Sequence, residues 1–305
     1  MTTSKILNTG MYKNTYIYKF ITSLKIVFSI FLRYAKSMYT LYRIFLRLKL
    51  GKQKRNQYLK EKGIFPSDFL PERIYSINNF KAILRKGTND FQMFCLPREE
   101  EIVNSVKLNA NETFVDVGAN VGAYTLKIAS DYKSKGIKVI AIEAHPANYK
   151  ALCKNIDINK FTNVYPINKA VSDHKGIVTM YERKFLKRIQ PEWYTIHETI
   201  SGHQLDKRYS IEVESDTLDA ILDNYKVDFI KIDIEGAEVE ALKGATNTLD
   251  RLRKIIVEIH ENNFDKVKHI LEDHNFEIEI ITNKIEKSEG FIIGTKNKSC
   301  PNLDV

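Results

Sequence analysis

The chain has 305 residues, of which 43% are hydrophobic and 11% aromatic, so it is a folded protein, and disorder of the whole chain is excluded. No run of 18 apolar residues is free of charge, which argues against a regular membrane-spanning helix. Cys95, Cys153 and Cys300 are far apart and form no Cys-x-x-Cys pattern, so the cysteines predict neither a disulfide framework nor a zinc site. We therefore expect a reducing, cytoplasmic environment.

The net charge of +9 at pH 7 comes from the N-terminal part of the chain. Residues 1–60 contain 13 Lys and Arg but no Asp or Glu, because the first acidic residue is Glu61. The remaining residues are mildly acidic. This asymmetry indicates that a basic segment, attached to a separate domain, meets an anionic surface.

Residues 15–49 are rich in Ile, Leu, Phe and Tyr and contain no Gly or Pro, which predicts a long amphipathic helix. At 100° per residue its basic side chains fall on one stripe, and the other faces are apolar. Such a helix suits an anionic bilayer surface, on the inner face of the membrane. The alternative is an ordinary helix packed on its own domain or on a second subunit. Nucleic acid is a weaker candidate because residues 26–32 are too apolar for a solvated arm.

The rest of the chain predicts one main domain. Residues 50–63 complete a linker after the basic helix, residues 64–110 form a lead-in region, and residues 298–305 form a tail. Residues 111–297 alternate short β-branched runs with longer helical stretches, the pattern of an α/β fold with a parallel sheet. The predicted strands are 113–117, 138–143, 164–168, 228–233 and 254–260, followed by a pair at 276–282 and 291–295. The predicted helices are 124–130, 147–158 and 237–252.

The first motif is a strand that runs into a glycine-bearing turn and then a helix, over residues 114–125. Gly118 permits a sharp turn, and we expect Gly122 to let the backbone approach a ligand at the helix start. The spacing is Gly-x-x-x-Gly without a third glycine, so it departs from the dinucleotide fingerprint. Asp116, at the strand end, favours a ligand with a cationic group over a pyrophosphate.

Two further strands end in acidic residues. Glu143 closes the second strand, where a carboxylate can accept both hydroxyls of a ribose. Asp233, Glu235 and Glu238 follow a later strand within six positions, at the edge where open α/β sheets place their sites. Helix capping explains one of these three carboxylates well, but it does not explain all three.

Together these motifs resemble the FkbM family of S-adenosylmethionine-dependent methyltransferases. The resemblance covers roughly residues 80–297. It rests on Asp116 to Gly122, Ile142 to Pro146, Asn168 to Asp173, Thr217 to Asp219, Lys231 to Glu238, Leu242 to Ala245 and Ile256 to His260.

The resemblance implies a class I methyltransferase fold, which is Rossmann-like, with a seven-stranded, mostly parallel sheet and helices on both faces. It also implies O-methylation of a hydroxyl on a sugar or a natural product. The basic segment of residues 15–49 extends this expectation to a glycolipid or glycan precursor. S-adenosylmethionine is the implied cofactor, with His145 on its adenine side. The implied cofactor contacts are Asp116, Gly118, Asn120, Gly122, Glu143, Ser172 and Asp173.

A hydroxyl acceptor needs a group that takes its proton, and Asp233 is the first candidate, with Glu235 and His260 as alternatives. We expect substrate contacts from Glu238, Trp193 and His197. The spacing of the His, Asp and Glu residues assigns no metal, although a divalent ion is compatible with them. Two other function classes stay open. One is a non-catalytic membrane-associated or RNA-binding adaptor on the same fold, and the other, less favoured, is an NAD-dependent oxidoreductase.

The membrane hypothesis predicts that the full chain floats with liposomes that contain anionic lipids and that a chain without residues 1–60 does not. Neutral liposomes are the control, because the attraction depends on basic side chains. Equal recovery of the two chains with anionic liposomes would contradict the hypothesis.

Overall fold

The computed structural model describes residues 72–86, 88–95, 100–182, 194–197, 199–200, 203–204, 210–260, 263–282 and 290–296. The predicted basic helix, its linker and Trp193 lie outside these residues, and so do the predicted boundaries after residues 63 and 297. Among the described helices, none is both long and apolar enough to cross a bilayer.

The described chain alternates strands and helices as the sequence predicts. The strands are β1 (Arg73–Ile77), β2 (Phe80–Leu84), β3 (Thr113–Val117), β4 (Lys138–Ile142), β5 (Val164–Ile167), β6 (Ala170–Val171), β7 (Gly176–Glu182), β8 (Tyr194–Thr195), β9 (Thr199–Ile200), β10 (His203–Gln204), β11 (Ser210–Asp216), β12 (Phe229–Ile232), β13 (Lys254–Ile259), β14 (Glu277–Thr282) and β15 (Gly290–Thr295). The helices are α1 (Asp90–Cys95), α2 (Glu100–Ser105), α3 (Ala123–Asp131), α4 (Pro146–Asn159), α5 (Leu218–Ile221), α6 (Glu238–Lys243), α7 (Thr246–Arg251) and α8 (Phe264–Asp273).

A seven-stranded sheet in the order β14-β15-β13-β12-β3-β4-β5 organises the fold. The pairs from β13 through β12, β3 and β4 to β5 are parallel, and β15 is antiparallel to both of its neighbours. This confirms the predicted class I methyltransferase architecture. The chain turns from β3 toward β4 and β5 on one side and later adds β12 and β13 on the other. A crevice therefore forms between β3 and β12 at the carboxyl ends of the strands.

The central strands form because nearly all of their residues are buried on both faces. Every residue of β3 and β12 is buried, and the Phe114 and Phe229 rings meet edge to face with centroids 5.4 Å apart. Two charged residues interrupt this apolar pattern, Asp116 in β3 and Lys231 in β12. Charged side chains in fully buried strands need partners nearby.

The prediction of one long helix after β12 is wrong. The helix expected over residues 237–252 is two helices, α6 and α7, separated at Gly244. A Cβ atom at Gly244 would lie 2.3 Å from the carbonyl oxygen of Ser172, so the backbones approach closely there. Asp219 then accepts hydrogen bonds from the backbone N–H groups of Asn247 and Thr248, at 2.9 and 2.7 Å, which caps the second helix.

A smaller sheet in the order β6-β11-β7-β8 follows β5 in sequence. Its long pair, β7 and β11, is antiparallel. The short strand β8 pairs with the end of β7 and brings Tyr194 and Thr195 to the crevice. The lead-in region contributes the β1–β2 hairpin, which is hydrogen-bonded to α4 through Asn155 and Asn159.

Candidate functional site

A cavity of about 530 Å³ lies at the carboxyl ends of β3, β4, β12 and β13. It is lined by several of the predicted cofactor residues and by two of the predicted proton acceptors, Asp233 and Glu235. Its lining includes Asp116, Gly118, Asn120, Glu143, His145, Tyr194, Lys231, Asp233, Glu235 and Glu258. The structure thus brings together residues that are separated by up to 142 positions in the sequence.

The first turn of the site depends on Gly118. Its φ angle is +81°, and a Cβ atom there would lie 1.8 Å from the carbonyl oxygen of Asp233. Its N–H donates to the carbonyl of Ile142 at 2.9 Å, so the turn joins the ends of three strands. The expectation for Gly122 needs a correction: a Cβ atom there would lie 2.8 Å from Leu152 Cδ1, so this glycine permits close packing of α3 on α4.

Glu143 is held by backbone hydrogen bonds at the end of β4. Its carboxylate accepts the N–H of Asn120 at 2.7 Å and the N–H of His145 at 2.8 Å, one on each oxygen. Glu143 is only 7% exposed. Burial raises the pKa of Glu143 to about 7, although the two backbone hydrogen bonds oppose the shift. The carboxylate is thus fixed in position and has further acceptor capacity toward the cavity.

Asp116 and Lys231 form the buried polar pair between β3 and β12. Lys231 Nζ lies 3.8 Å from Asp116 Oδ1, and Thr125 donates to Asp116 Oδ2 at 2.6 Å. Burial raises the pKa of Asp116, and the Lys231 charge opposes that shift. Asp116 Oδ1 accepts no hydrogen bond from any described residue.

Two more buried polar atoms of the cavity residues have no hydrogen-bond partner in the described part of the chain. They are Asn120 Oδ1 and His145 Nδ1. Burial lowers the pKa of His145 to about 4, and the nearby Arg85 charge acts in the same direction, so the ring is neutral. It stacks on Tyr194, with ring centroids 4.3 Å apart. Such open polar atoms in a concave site are what a bound polar ligand satisfies.

Asp233 directly follows β12 and also lines the cavity. Lys231 donates to Asp233 Oδ2 at 3.1 Å and lies 4.5 Å above the Tyr124 ring. Burial alone would raise the pKa of Asp233, but the charges of Lys231 and His260 outweigh it and lower that pKa. Asp233 is therefore ionised at neutral pH. It is a good hydrogen-bond acceptor but a weak base.

His260 approaches the same cluster from the end of β13. Its Nδ1 donates to Glu238 Oε1 at 2.8 Å, and its Nε2 lies 3.8 Å from Glu235 Oε2. Burial alone would lower the pKa of His260, but the hydrogen bond to Glu238 and the charges of Glu235, Glu238 and Asp233 raise it to about 10. In the protein without a metal the ring is thus a cation, so it does not serve as the proton acceptor.

The structure corrects the expected role of Glu238. This residue is 0% exposed, and its carboxylate also accepts the Gly236 N–H at 2.8 Å and the Asn263 side-chain amide at 3.2 Å. A substrate cannot reach a carboxylate that is enclosed in this way. Glu238 is a positioning residue that orients His260.

Three other predicted residues lie beside the cavity and are not part of its lining. Ser172 is 1% exposed, and Asp173 is turned toward His174, with a hydrogen bond of 2.6 Å to its ring. The neighbouring Ala170 and Val171 line the cavity in their place. His197 donates from Nε2 to the carbonyl of Gly236 at 3.0 Å, so it fixes β8 against the turn that follows β12. Trp193 lies outside the described residues.

Sequence reasoning missed Lys231, although one signal was present. A lysine in the middle of the apolar run Phe229 to Ile232, between two aspartates at positions 228 and 233, is unusual for a buried strand. Tyr194 could not be assigned in this way, because its contact with His145 depends on how β8 folds back over the sheet.

The raised pKa of Glu143 predicts a pH-dependent stability. Between its ordinary value of 4.5 and about 7, the unfolded chain releases the proton and the folded chain keeps it. The ligand-free protein should therefore lose stability relative to the Glu143→Gln variant as pH rises through this window, by about 2 to 3 kcal/mol in total. Urea unfolding of both proteins at several pH values measures the difference in unfolding free energy.

Glu272→Gln, on the exposed face of α8, is the control and should follow the wild type. If the unfolding free energies of the wild type and Glu143→Gln change in parallel with pH, the raised pKa of Glu143 is contradicted.

Comparison with known proteins shows the family to which the chain belongs. The family model described as the methyltransferase FkbM domain matches residues 116–284, more than half of the chain. The hexuronic acid methyltransferase AglP of Haloferax volcanii is 28% identical over 205 residues, which cover 65% of this chain and 77% of that protein. The methyltransferase sdnD of Sordaria araneosa is 26% identical over 206 residues, which cover 56% and 76% of the two chains.

A crystal structure of the methyltransferase FkbM from Methylobacillus flagellatus is 19% identical to this chain, with a TM-score of 0.44, and the match covers 63% of this chain and 45% of that one. The family assignment depends on the sequence match, which begins at Asp116 and includes Glu143, Asp233 and His260. This chain belongs to the FkbM family of S-adenosylmethionine-dependent methyltransferases.

Proposed function

We propose that this protein transfers the methyl group of S-adenosylmethionine to a hydroxyl oxygen of a sugar, in a free glycan precursor or a glycolipid. The observation that carries the proposal is one cavity lined by two chemically different sets of residues. The first set contains Glu143, the carboxylate that follows β4, and the second contains the carboxylates beside Lys231. The cofactor supplies a methyl group that is already activated by its sulfonium centre.

The residues of the first set, Glu143, Asp116 and His145, fit the cofactor. Glu143 is fixed by two backbone N–H groups and can accept the two ribose hydroxyls with its remaining lone pairs. The open oxygen of Asp116 can accept the ammonium group of the methionine part, and the positive sulfonium suits the same anionic wall. Neutral His145, stacked on Tyr194, offers a ring nitrogen and an aromatic face for the adenine side.

The residues of the second set, Asp233 and Glu235, suit an acceptor that reacts through a hydroxyl oxygen. Asp233 and Glu235 lie where a hydroxyl can donate a hydrogen bond to a carboxylate. The low pKa of Asp233 makes it a weak base, but a hydroxyl becomes strongly acidic as its oxygen forms the new bond to carbon. A weak base that is already in hydrogen-bonding position can take that proton, and positioning supplies most of the rate enhancement.

The acceptor class is supported by two independent features. The relative AglP is named a hexuronic acid methyltransferase, and it is similar to this chain over most of its own length. The carboxylates of Asp233 and Glu235 line the cavity and can accept hydrogen bonds from the hydroxyls of a sugar ring. We extend the proposal to a lipid-linked acceptor at the cytoplasmic face of the membrane only on the basic charge of residues 1–60.

Calorimetric titration tests the cofactor half of the proposal. The purified protein should bind S-adenosylmethionine and S-adenosylhomocysteine with micromolar affinity and should not bind NAD. Glu143→Gln keeps the size of the side chain but removes the charge and exchanges an acceptor for a donor, so affinity should fall at least tenfold. The control Glu272→Gln should bind as the wild type does. A folded wild-type protein that binds neither adenosyl ligand would favour the adaptor alternative.

Transfer of a labelled methyl group tests the acceptor half. Uronate-containing and neutral glycans should be offered in parallel, because a uronic acid presents both hydroxyl and carboxylate oxygens. Transfer to a hydroxyl gives an ether, which survives mild alkali, whereas transfer to a carboxylate gives an ester, which does not. We expect an alkali-stable product, and alkali-labile label would overturn the hydroxyl assignment while keeping the enzyme class.

A further inference from the structure

We propose that Asp233, Glu235 and His260 form a binding site for a divalent transition-metal ion of the Mn²⁺ or Zn²⁺ class. The three residues come from the end of β12, the turn that follows it and the end of β13. Each offers one ligand atom, and these atoms all lie within 4.8 Å of one another. Ligands on one ion, with bonds of about 2.0 to 2.2 Å, are separated by roughly 3 to 4 Å, so a small adjustment of side chains is sufficient.

The separations between His260 Nε2 and the carboxylates of Glu235 and Glu258 are too long for hydrogen bonds. His260 Nε2 lies 3.8 Å from Glu235 Oε2 and 4.0 Å from Glu258 Oε1. These gaps leave the imidazole nitrogen facing carboxylate oxygens without direct bonding to them. Lys231 contacts Asp233 through Oδ2, at 3.1 Å, and a carboxylate has a second oxygen and further lone pairs for an ion.

A second observation, outside the three ligands, concerns the orientation of His260. Glu238 is 0% exposed and accepts the Nδ1–H of His260 at 2.8 Å. Gly236 and Asn263 fix Glu238 in turn, at 2.8 and 3.2 Å. A buried carboxylate behind a histidine fixes the ring and directs Nε2 forward, which is how metal-binding histidines are usually held. Because Glu238 cannot reach the cavity, this orienting role accounts for its burial.

The charge of the cluster gives the third argument. Asp233, Glu235, Glu238 and Glu258 bring four carboxyl groups close to Lys231 and His260. These side chains are between 0% and 28% exposed, so solvent screens their charges only partly. A divalent cation that replaces the proton on His260 Nε2 is attracted by these carboxylates. An imidazole together with carboxylates favours Mn²⁺ or Zn²⁺ over Mg²⁺ or Ca²⁺, which prefer oxygen ligands alone.

The ion would lie in the wall of the cavity, because Asp233, Glu235 and Glu258 all line it. An acceptor hydroxyl bound to such an ion becomes more acidic. That role depends on the proposed function, whereas binding of the ion does not.

The test uses the full, untagged chain after removal of metals by a chelator. Calorimetry and the electron paramagnetic resonance signal of Mn²⁺ should show one ion per chain, and Zn²⁺ should compete for the same site. Glu235→Gln and His260→Gln remove direct ligands and should each lower Mn²⁺ affinity at least tenfold. Glu238→Gln should lower it 10- to 100-fold, as is typical for a residue that orients a ligand.

Circular dichroism of each variant shows whether it has folded, and Glu235→Gln, at a partly exposed turn, is the variant expected to perturb the fold least. Glu143→Gln separates the two proposals, since it should lower the affinity for S-adenosylmethionine at least tenfold and leave Mn²⁺ binding unchanged. A wild-type protein that binds S-adenosylmethionine but binds Mn²⁺ and Zn²⁺ no better than folded Glu235→Gln would overturn the metal site alone. Mn²⁺ binding without S-adenosylmethionine binding would support the metal site and count against the proposed function.

Discussion

The buried ammonium group of Lys231 is the interaction on which the site depends. It lies between Asp116 at 3.8 Å and Asp233 at 3.1 Å, against the face of the Tyr124 ring, in a side chain that is 3% exposed. A charge in such a position is tolerated only when opposite charges surround it. The lysine thereby connects the ends of β3 and β12, the two strands between which the crevice opens.

Lys231 acts on both aspartates. Asp116 lies near the end of β3 and Asp233 directly follows β12, and the Lys231 charge favours the ionised form of each. The backbone adds its own constraint, because the absence of a side chain at Gly118 lets the Asp233 carbonyl approach. The Lys231 charge and the backbone geometry at Gly118 together fix the positions of Asp116 and Asp233 before any ligand binds. Such preorganisation is the main contribution that a protein can make to transfer from an activated donor.

Much of this architecture is predictable from local sequence, because the central strands are fully buried and bounded by glycine and acidic residues. The ends of strands β3, β4 and β13 were predicted within one residue for this reason. Glu143 and Asp116 were found because a carboxylate at a strand end has few structural explanations. The break at Gly244 was missed because its cause is a tertiary contact with the backbone of Ser172, which no local pattern encodes. Glu238 was misjudged for a similar reason: from sequence, a carboxylate that faces a ligand and one that supports a histidine look alike.

The most direct test of the account is a crystal structure of the protein with S-adenosylhomocysteine. We predict the ribose hydroxyls within hydrogen-bonding distance of Glu143, the amino group beside Asp116, and the sulfur atom facing the carboxylates that follow β12. A ligand that is well ordered elsewhere in the molecule, with none of its atoms within hydrogen-bonding distance of the Glu143 carboxylate, would contradict it.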